Sequence, residues 1–134
     1  MSDAEPTRFI LRLSCQDRPG IVAAVSGALF EAGFNIDDAQ QYDDPYSRQF
    51  FVRLVFSAAA ATDCAAVEAL LAPAVRRFGM TASVHLKSEP RRVLMLVSRF
   101  DHCLMDLLYR WRAGEIDMRP AGIVSNHPRE TYRH

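Results

Sequence analysis

Four consecutive residues, Asp17 to Gly20, are the first in the chain whose side chains and backbone could bind a ligand. They follow an alternating apolar segment and precede an apolar stripe at helical spacing, which predicts a turn between a strand and a helix. Pro19 suits the first helical position, and Asp17 can cap the free N–H groups of the first turn. The same N–H groups can bind a carboxylate instead. The turn therefore predicts a cap or a small-molecule site, and both alternatives stay open.

A second group of polar residues follows two predicted parallel strands. In open parallel sheets, ligands bind in the loops at these carboxyl ends of strands. His102 lies beside Asp101 and could act in acid–base chemistry, but neighbouring helix residues point in different directions. For Ser98, capping of the helix that follows is the simpler role, and lining of a pocket is the alternative. The group comprises Ser98, Asp101, His102 and Asn126.

The spacing of apolar residues over 8–86 predicts the strands and helices that position the Asp17–Gly20 turn. Pro73 lies inside the second helix and is expected to kink or split it near Leu70. The order βαββαβ predicts two helices on one face of an antiparallel sheet, with an open face or edge for a second copy. The elements are strand 9–15, a helix opening at Pro19 and closed by Gly33, a strand from Phe34 with a bulge or an exposed edge at 37–38, turn 42–47, strand 50–56, helix 62–78 capped by Thr62 or Asp63, and strand 80–86.

The second group is positioned by a shorter pattern near the end of the chain. The continuous apolar run Val93–Val97 is typical of a parallel strand buried on both faces. A helix follows, with Trp111 predicted in the core, and then a strand over 118–125. Two parallel strands cannot cover their own faces, so residues 91–134 are expected to be poorly stable alone. The predicted organisation is a disordered 1–7, a domain at 8–86, a linker at 87–91 and a second domain at 92–134.

Composition and charge exclude several classes of function. The chain has no apolar run long enough for a membrane span, and its first residues lack the plan of a signal peptide, which predicts a cytoplasmic protein. The three cysteines form no disulfide framework or metal motif. Residues 1–86 hold seven Lys/Arg against ten Asp/Glu, and residues 87–134 hold nine against six. That modest basic excess lacks the dense patch that nucleic-acid binding requires.

The stretch DRPGIVAAVSGALFEAGFNI, with the hairpin and helix after it, resembles the ACT domain family. The resemblance covers residues 8–86 and implies an α+β, ferredoxin-like fold that binds amino acids between paired copies. Asp17, Arg18, Pro19 and Gly20 would then form the ligand loop. Asn35 would face the loop from a second copy. The implied partners are an amino-acid effector, with glycine and methionine as candidates, and a homodimer or higher homo-oligomer.

The stretch VLMLVSRFDHCLMDLLYRWRAGEIDMRPAGIVSNHP is similar to the start of the catalytic domain of formyltetrahydrofolate deformylases. This family hydrolyses 10-formyltetrahydrofolate to formate and tetrahydrofolate, with the folate as substrate and no bound cofactor or metal. The resemblance implies the first βαβ unit of a parallel α/β, formyltransferase-like domain. It also implies a substrate pocket near Ser98, Asp101, His102 and Asn126.

The catalytic residues of that family have no counterpart in this sequence. The family uses an Asn-x-His pair and a later Asp downstream of this stretch, whereas Asn126 and His127 are adjacent. The chain is therefore expected to be an N-terminal fragment without turnover. Two alternatives remain: a self-standing amino-acid sensor that dimerises, and an interaction protein with no ligand.

Overall fold

The structure, a computed structural model, describes residues 5–132 and divides the chain into two units, the first ending at Glu89. The α+β fold and the βαββαβ order of the first unit are confirmed. The first unit contains β1 (Thr7–Gln16), α1 (Ile21–Glu31), β2 (Phe34–Asp44), β3 (Gln49–Ala58), α2 (Cys64–Phe78) and β4 (Thr81–Leu86). The second unit contains β5 (Arg91–Val97), α3 (His102–Arg112), β6 (Met118–Ser125) and a short 3-10 helix (Arg129–Tyr132). Of the predicted disordered segment 1–7, residues 1–4 lie outside the described residues, and Thr7 belongs to β1.

The first unit is an antiparallel sheet with the strand order β2-β3-β1-β4. Alternation puts every second residue of β1 and β3 on the face that α1 and α2 cover. There the rings of Phe9 and Phe56 stack with centroids 5.6 Å apart, and both side chains are fully buried. Leu29 of α1 and Val67 of α2 close this core.

Helix α1 begins two residues later than the sequence predicts. Gly20, with φ +94°, precedes the helix in the left-handed region that glycine adopts without strain. Pro19 is therefore a turn residue and not the first helical residue. The predicted capping by Asp17 is wrong, because no side chain caps this helix. Gly33, with φ +83°, ends the helix region as predicted.

Strand β2 is an edge strand, and the predicted bulge is present. Its register against β3 shifts between Ile36 and Asp38. The hairpin turn is displaced from the predicted 42–47, because β2 continues to Asp44 and β3 starts at Gln49. The Asp44 carboxylate accepts a hydrogen bond from the Tyr46 N–H at 3.1 Å, which stabilises this later turn.

Helix α2 is continuous through Pro73, so the predicted split near Leu70 is absent. Of the two predicted caps, Asp63 is the one used: its side chain accepts a hydrogen bond from the Ala66 N–H at 2.8 Å. Gly79, with φ +60°, ends the helix as expected.

The second unit is a two-stranded sheet with one helix, and the predicted βαβ order with parallel pairing is confirmed. Its core consists of Met95, Leu104 and Met118. The prediction that β5 is buried on both faces is wrong here, since Leu96 is 78% exposed. Trp111 is 39% exposed, contrary to its predicted core position. A single helix covers a single face of a two-stranded sheet, which explains both differences. No helix among the described residues is long and apolar enough to cross a membrane.

Candidate functional site

The turn before α1 presents backbone N–H groups rather than catalytic side chains. The first intrahelical bond runs from the Ala24 N–H to the Gly20 carbonyl at 2.9 Å. The N–H groups of the three residues between them lie ahead of that bond, at the positive end of the helix dipole. Asp17 is exposed beside this turn, and its own N–H donates to the Arg48 carbonyl at 2.9 Å. The arrangement suits a carboxylate on the N–H groups and an ammonium group near Asp17.

Arg18 fixes the turn to the end of α2. Its guanidinium lies 5.2 Å from the centre of the Phe78 ring and donates to the Arg77 carbonyl at 3.3 Å. Arg77 lies at the same distance from that ring. Of the four predicted turn residues, Arg18 therefore has a structural role.

Asn35 lies at the opposite end of the sheet from the turn. It is opposite Ser57, which is opposite Arg8 near the start of β1, whereas Asp17 follows the end of β1. The separation is roughly 30 Å along β1, at about 3.3 Å per residue. The Asn35 amide donates to the Asp37 carboxylate at 2.8 Å. One chain therefore does not bring Asn35 to the Asp17–Gly20 turn.

In the second unit, Tyr132 links the carboxyl ends of β5 and β6. Its hydroxyl donates to the carbonyl of Ser98, after β5, and its oxygen lies 2.7 Å from the Ser125 hydroxyl oxygen at the end of β6. The Ser125 hydroxyl oxygen also accepts from the His127 N–H at 2.9 Å. This network joins the two loops that the sequence singled out. Ser98 does not cap α3, because Asp101 occupies that position and no side chain caps this helix.

An open cavity of about 780 Å³ lies beside the network. None of the four predicted substrate residues lines it, although Asn126 is flanked by two residues that do. The Asn126 side-chain oxygen lies 2.8 Å from His127 Nδ1. An amide oxygen only accepts, so Nδ1 donates and Nε2 of a neutral ring is left as an acceptor. The lining residues are Leu104, Ile123, Ser125, His127, Arg129, Glu130 and Tyr132.

Sequence reasoning did not assign a role to the Ser125, His127 and Tyr132 network. The V-S-N-H-P motif contains Ser125 and His127 and is a signal for both. Tyr132 lies 34 residues from Ser98, and no local sequence pattern connects these two residues. Asp101 and His102 begin α3, with His102 exposed, and the Asp101 carbonyl accepts from the Met105 N–H at 2.8 Å. No hydrogen bond links the Asp101 and His102 side chains within residues 5–132.

Metal and thiol chemistry find little support in the described part of the chain. It contains no group of three or more His, Cys, Asp or Glu side chains placed to hold a metal ion. Burial raises the pKa of the Cys15 thiol and of the Cys64 thiol, so neither is an activated nucleophile.

Part of the first unit matches a known domain family. Residues 9–63 match the ACT domain model. An ACT domain protein from Streptococcus pneumoniae superposes with a TM-score of 0.56 at 24% identity, over 63% of this chain and 93% of that one. That likeness supports the fold alone, because the identity is low.

Two longer proteins match nearly the whole chain. Formyltetrahydrofolate deformylase from Bacillus subtilis (strain 168) is 41% identical over 127 residues, which is 93% of this chain and 42% of the relative. A crystal structure of formyltetrahydrofolate deformylase from Burkholderia mallei has a TM-score of 0.71 and 42% identity, covering 92% of this chain and 43% of that one. The chain therefore spans about two-fifths of the length of these relatives.

Proposed function

Because the chain is homologous to the N-terminal part of formyltetrahydrofolate deformylases, we propose that it supplies the regulatory domain and the first βαβ unit of such an enzyme. The complete enzyme would hydrolyse the formyl C–N bond of 10-formyltetrahydrofolate, with water as acceptor and formate and tetrahydrofolate as products. The identity of 41% across both units, in the same order, is the observation that carries this proposal.

The second unit is suited to a supporting part in that chemistry. The loops at the carboxyl ends of β5 and β6 border an open cavity, as substrate loops do in parallel sheets. Nε2 of a neutral His127 ring and the remaining lone pair of the Ser125 hydroxyl can accept hydrogen bonds there. Ser98, Asp101, His102 and Asn126 are retained as proposed neighbours of the substrate. No catalytic residue is assigned within this chain.

A chimera tests the proposal. Residues 1–134 replace the homologous N-terminal part of the Bacillus subtilis enzyme, and formate release from 10-formyltetrahydrofolate is measured. We expect activity within about tenfold of the parent, because the substituted part is homologous throughout, and no release from residues 1–134 alone. A folded but inactive chimera, beside an active parent, would reject the proposal. Formate release by the chain alone would show that the catalytic group has been misplaced.

The first unit is proposed to bind an amino-acid effector between two copies. Strands β1 and β2 run in the same direction, because both are antiparallel to β3. Antiparallel pairing of two β2 edges about a two-fold axis would move Asn35 of a second copy towards the sheet end that carries Asp17. The effector carboxylate would then meet the N–H groups before α1, and its ammonium would meet Asp17 and the Asn35 amide.

Calorimetric titration with glycine and with methionine tests the effector site. We expect Asp17→Ala and Asn35→Ala each to weaken binding about tenfold or more, since each removes a hydrogen-bond acceptor for the ammonium group. Glu68→Ala removes an exposed carboxylate from the N-terminal half of α2 and should leave binding unchanged. Absence of heat with either amino acid would favour a dimerisation module without a ligand.

A cytoplasmic location belongs to the same proposal. The thiols of Cys15, Cys64 and Cys103 are free, as thiols are kept in a reducing compartment. Fractionation of cells expressing the native gene checks this location.

A further inference from the structure

The face of the first sheet that lies away from α1 and α2 carries an ordered set of cross-strand pairs. On β1 and β3, Arg12 is directly opposite Arg53. On β2 and β3, Tyr42 is directly opposite Phe51. Because Phe51 and Arg53 are two residues apart on β3, their side chains point to the same face and lie next to each other. The two pairs therefore form adjacent rows.

The arginine pair concentrates positive charge at the centre of the sheet. Like charges directly opposite each other destabilise a strand pair, unless an anion compensates them. Each guanidinium is also held from its outer side. Arg53 pairs with the Asp38 carboxylate on β2 at 3.2 Å, and Arg12 lies 3.1 Å from His85 Nε2 on β4. These contacts fix both guanidinium groups in position.

The aromatic pair supplies an apolar surface beside the arginines. The ring centres of Tyr42 and Phe51 are 6.3 Å apart, with an angle of 31° between the ring planes. The side chains are 61% and 43% exposed, so their rings can be contacted from solvent. Exposed aromatic rings beside fixed charges are typical of a recognition surface.

A cavity of about 370 Å³ joins the two rows and reaches all four of these side chains, together with Gln40. We propose that it binds a small aromatic carboxylate. The carboxylate would accept hydrogen bonds from the guanidinium groups of Arg12 and Arg53, whose planar forks match its geometry. The ring of the ligand would pack against Tyr42 and Phe51. Gln40, opposite Arg53, would donate to a ring substituent.

A second copy of the chain is a less suitable occupant of this face. A two-fold contact brings the same surface of both copies together, so the Arg12 and Arg53 pair would meet its own equivalent. That arrangement would place four guanidinium groups together, whereas a carboxylate brings a charge opposite to theirs. The proposed ligand site does not depend on the enzyme function proposed above.

Calorimetry with benzoate tests the site, with inorganic phosphate as the probe that lacks a ring. We expect saturable benzoate binding below about 10 mM and at least tenfold weaker phosphate binding. Arg53→Gln and Tyr42→Ala should each weaken benzoate binding about tenfold or more. Arg12→Lys keeps the charge but loses the planar fork, and should weaken binding by a smaller factor. Circular dichroism confirms that each variant is folded.

Two matched controls separate the site from general charge and ring effects. Arg76→Gln removes an exposed arginine from α2, and Tyr46→Ala removes a ring that is 96% exposed in the hairpin turn. Both should bind benzoate as the native chain does. The proposal is overturned if benzoate gives no saturable heat, if phosphate binds equally well, or if the controls lose as much affinity as the site variants. Sedimentation showing that Tyr42→Ala dissociates a dimer, without benzoate binding, would assign the face to a second copy.

Discussion

At the scale of single residues, side chains in the Asp17–Gly20 turn divide between structure and recognition. Arg18 contacts Phe78 and the Arg77 carbonyl, and so links the turn to the end of α2. Gly20 supplies a backbone conformation that other residues rarely adopt. Asp17 alone keeps an exposed carboxylate beside the unbonded N–H groups. An effector would therefore be recognised by one side chain and by the backbone of a turn that Arg18 holds in place.

The cysteines give a residue-scale prediction about reactivity. Cys15 is buried and its pKa is raised by that burial, whereas Cys103 is exposed on α3. We expect iodoacetamide at neutral pH to modify Cys103 first and Cys15 at least about tenfold more slowly. Mass spectrometry of peptides from timed samples measures both rates. In urea the two rates should become similar, and equal rates in the folded chain would contradict the described burial.

Asp44 gives a prediction about pH. Hydrogen bonds from the Ser47 hydroxyl and then from the Tyr46 N–H hold the pKa of this carboxyl below its ordinary value. Since the folded state favours the ionised form, this contribution to stability is present above the unfolded pKa and is lost as pH falls through the folded pKa. Ser47→Ala should raise the pKa of Asp44, as measured by NMR titration. Ser47→Thr keeps a hydroxyl and should leave the pKa low; an unchanged pKa in Ser47→Ala would contradict the assignment.

At the scale of elements, α2 carries one residue that opposes its own conformation. Pro73 lies inside the helix and cannot donate a backbone hydrogen bond, yet the helix continues through it. Packing of Val67, Leu71 and Phe78 against the sheet holds the helix together across this point. The expectation of a split failed because tertiary burial outweighed the local penalty of one proline.

Substitution of Pro73 measures that local penalty. Pro73→Ala should stabilise the first unit by roughly 1–2 kcal/mol, since alanine restores the hydrogen bond and only part of the gain is offset by unfolded-chain entropy. Urea denaturation followed by circular dichroism gives the change. Pro45→Ala, in the hairpin turn, should not stabilise the chain. A lower stability for Pro73→Ala would mean that the proline ring contributes packing that outweighs its backbone penalty.

The strands and helices could be predicted because their causes are local. Alternation located β1 and β3, and Gly33 and Gly79 ended their helices as expected. The displaced start of α1 could not be predicted, since proline is equally suited to a turn and to a first helical residue. The exposure of Leu96 depends on which elements cover the sheet. A continuous apolar run does not show which faces of its strand will be covered.

The candidate sites depend on topology, and the sequence predicted them only in part. The residues of the Asp17–Gly20 turn were found from their spacing, but the distance to Asn35 follows from strand order. The facing of Arg12 and Arg53 follows from strand register, and the Tyr132 to Ser98 bond joins segments far apart in the chain. Such long-range pairings are set by packing rather than by local composition.

At the scale of the whole molecule, the two units differ in how completely they are covered. The first has a four-stranded sheet with a continuous core, while the second has two strands and three buried apolar side chains among its described residues. Small two-stranded sheets are marginally stable in water. The second unit is therefore expected to open more readily than the first.

Limited trypsin digestion tests this difference. We expect the first cuts at the exposed Lys87 and in the second unit, leaving a resistant fragment that contains β1 to β4. The second unit should be degraded at least about tenfold faster, as followed by mass spectrometry. Digestion in urea should remove the difference. Equal persistence of both fragments would show that residues 90–134 form a stable fold by themselves.

Because the chain divides after Glu89, the first unit can fold before the second during synthesis on the ribosome. Strand β4 completes the first sheet by pairing with β1, and none of the elements described after it, up to Tyr132, contributes to that sheet. Translation of residues 90–134 takes on the order of 2–9 s at about 5–20 residues per second, which is ample time for a small domain to fold. The first unit can thus begin to fold, with its β2 edge free to find a second nascent chain, before the second unit has left the ribosome.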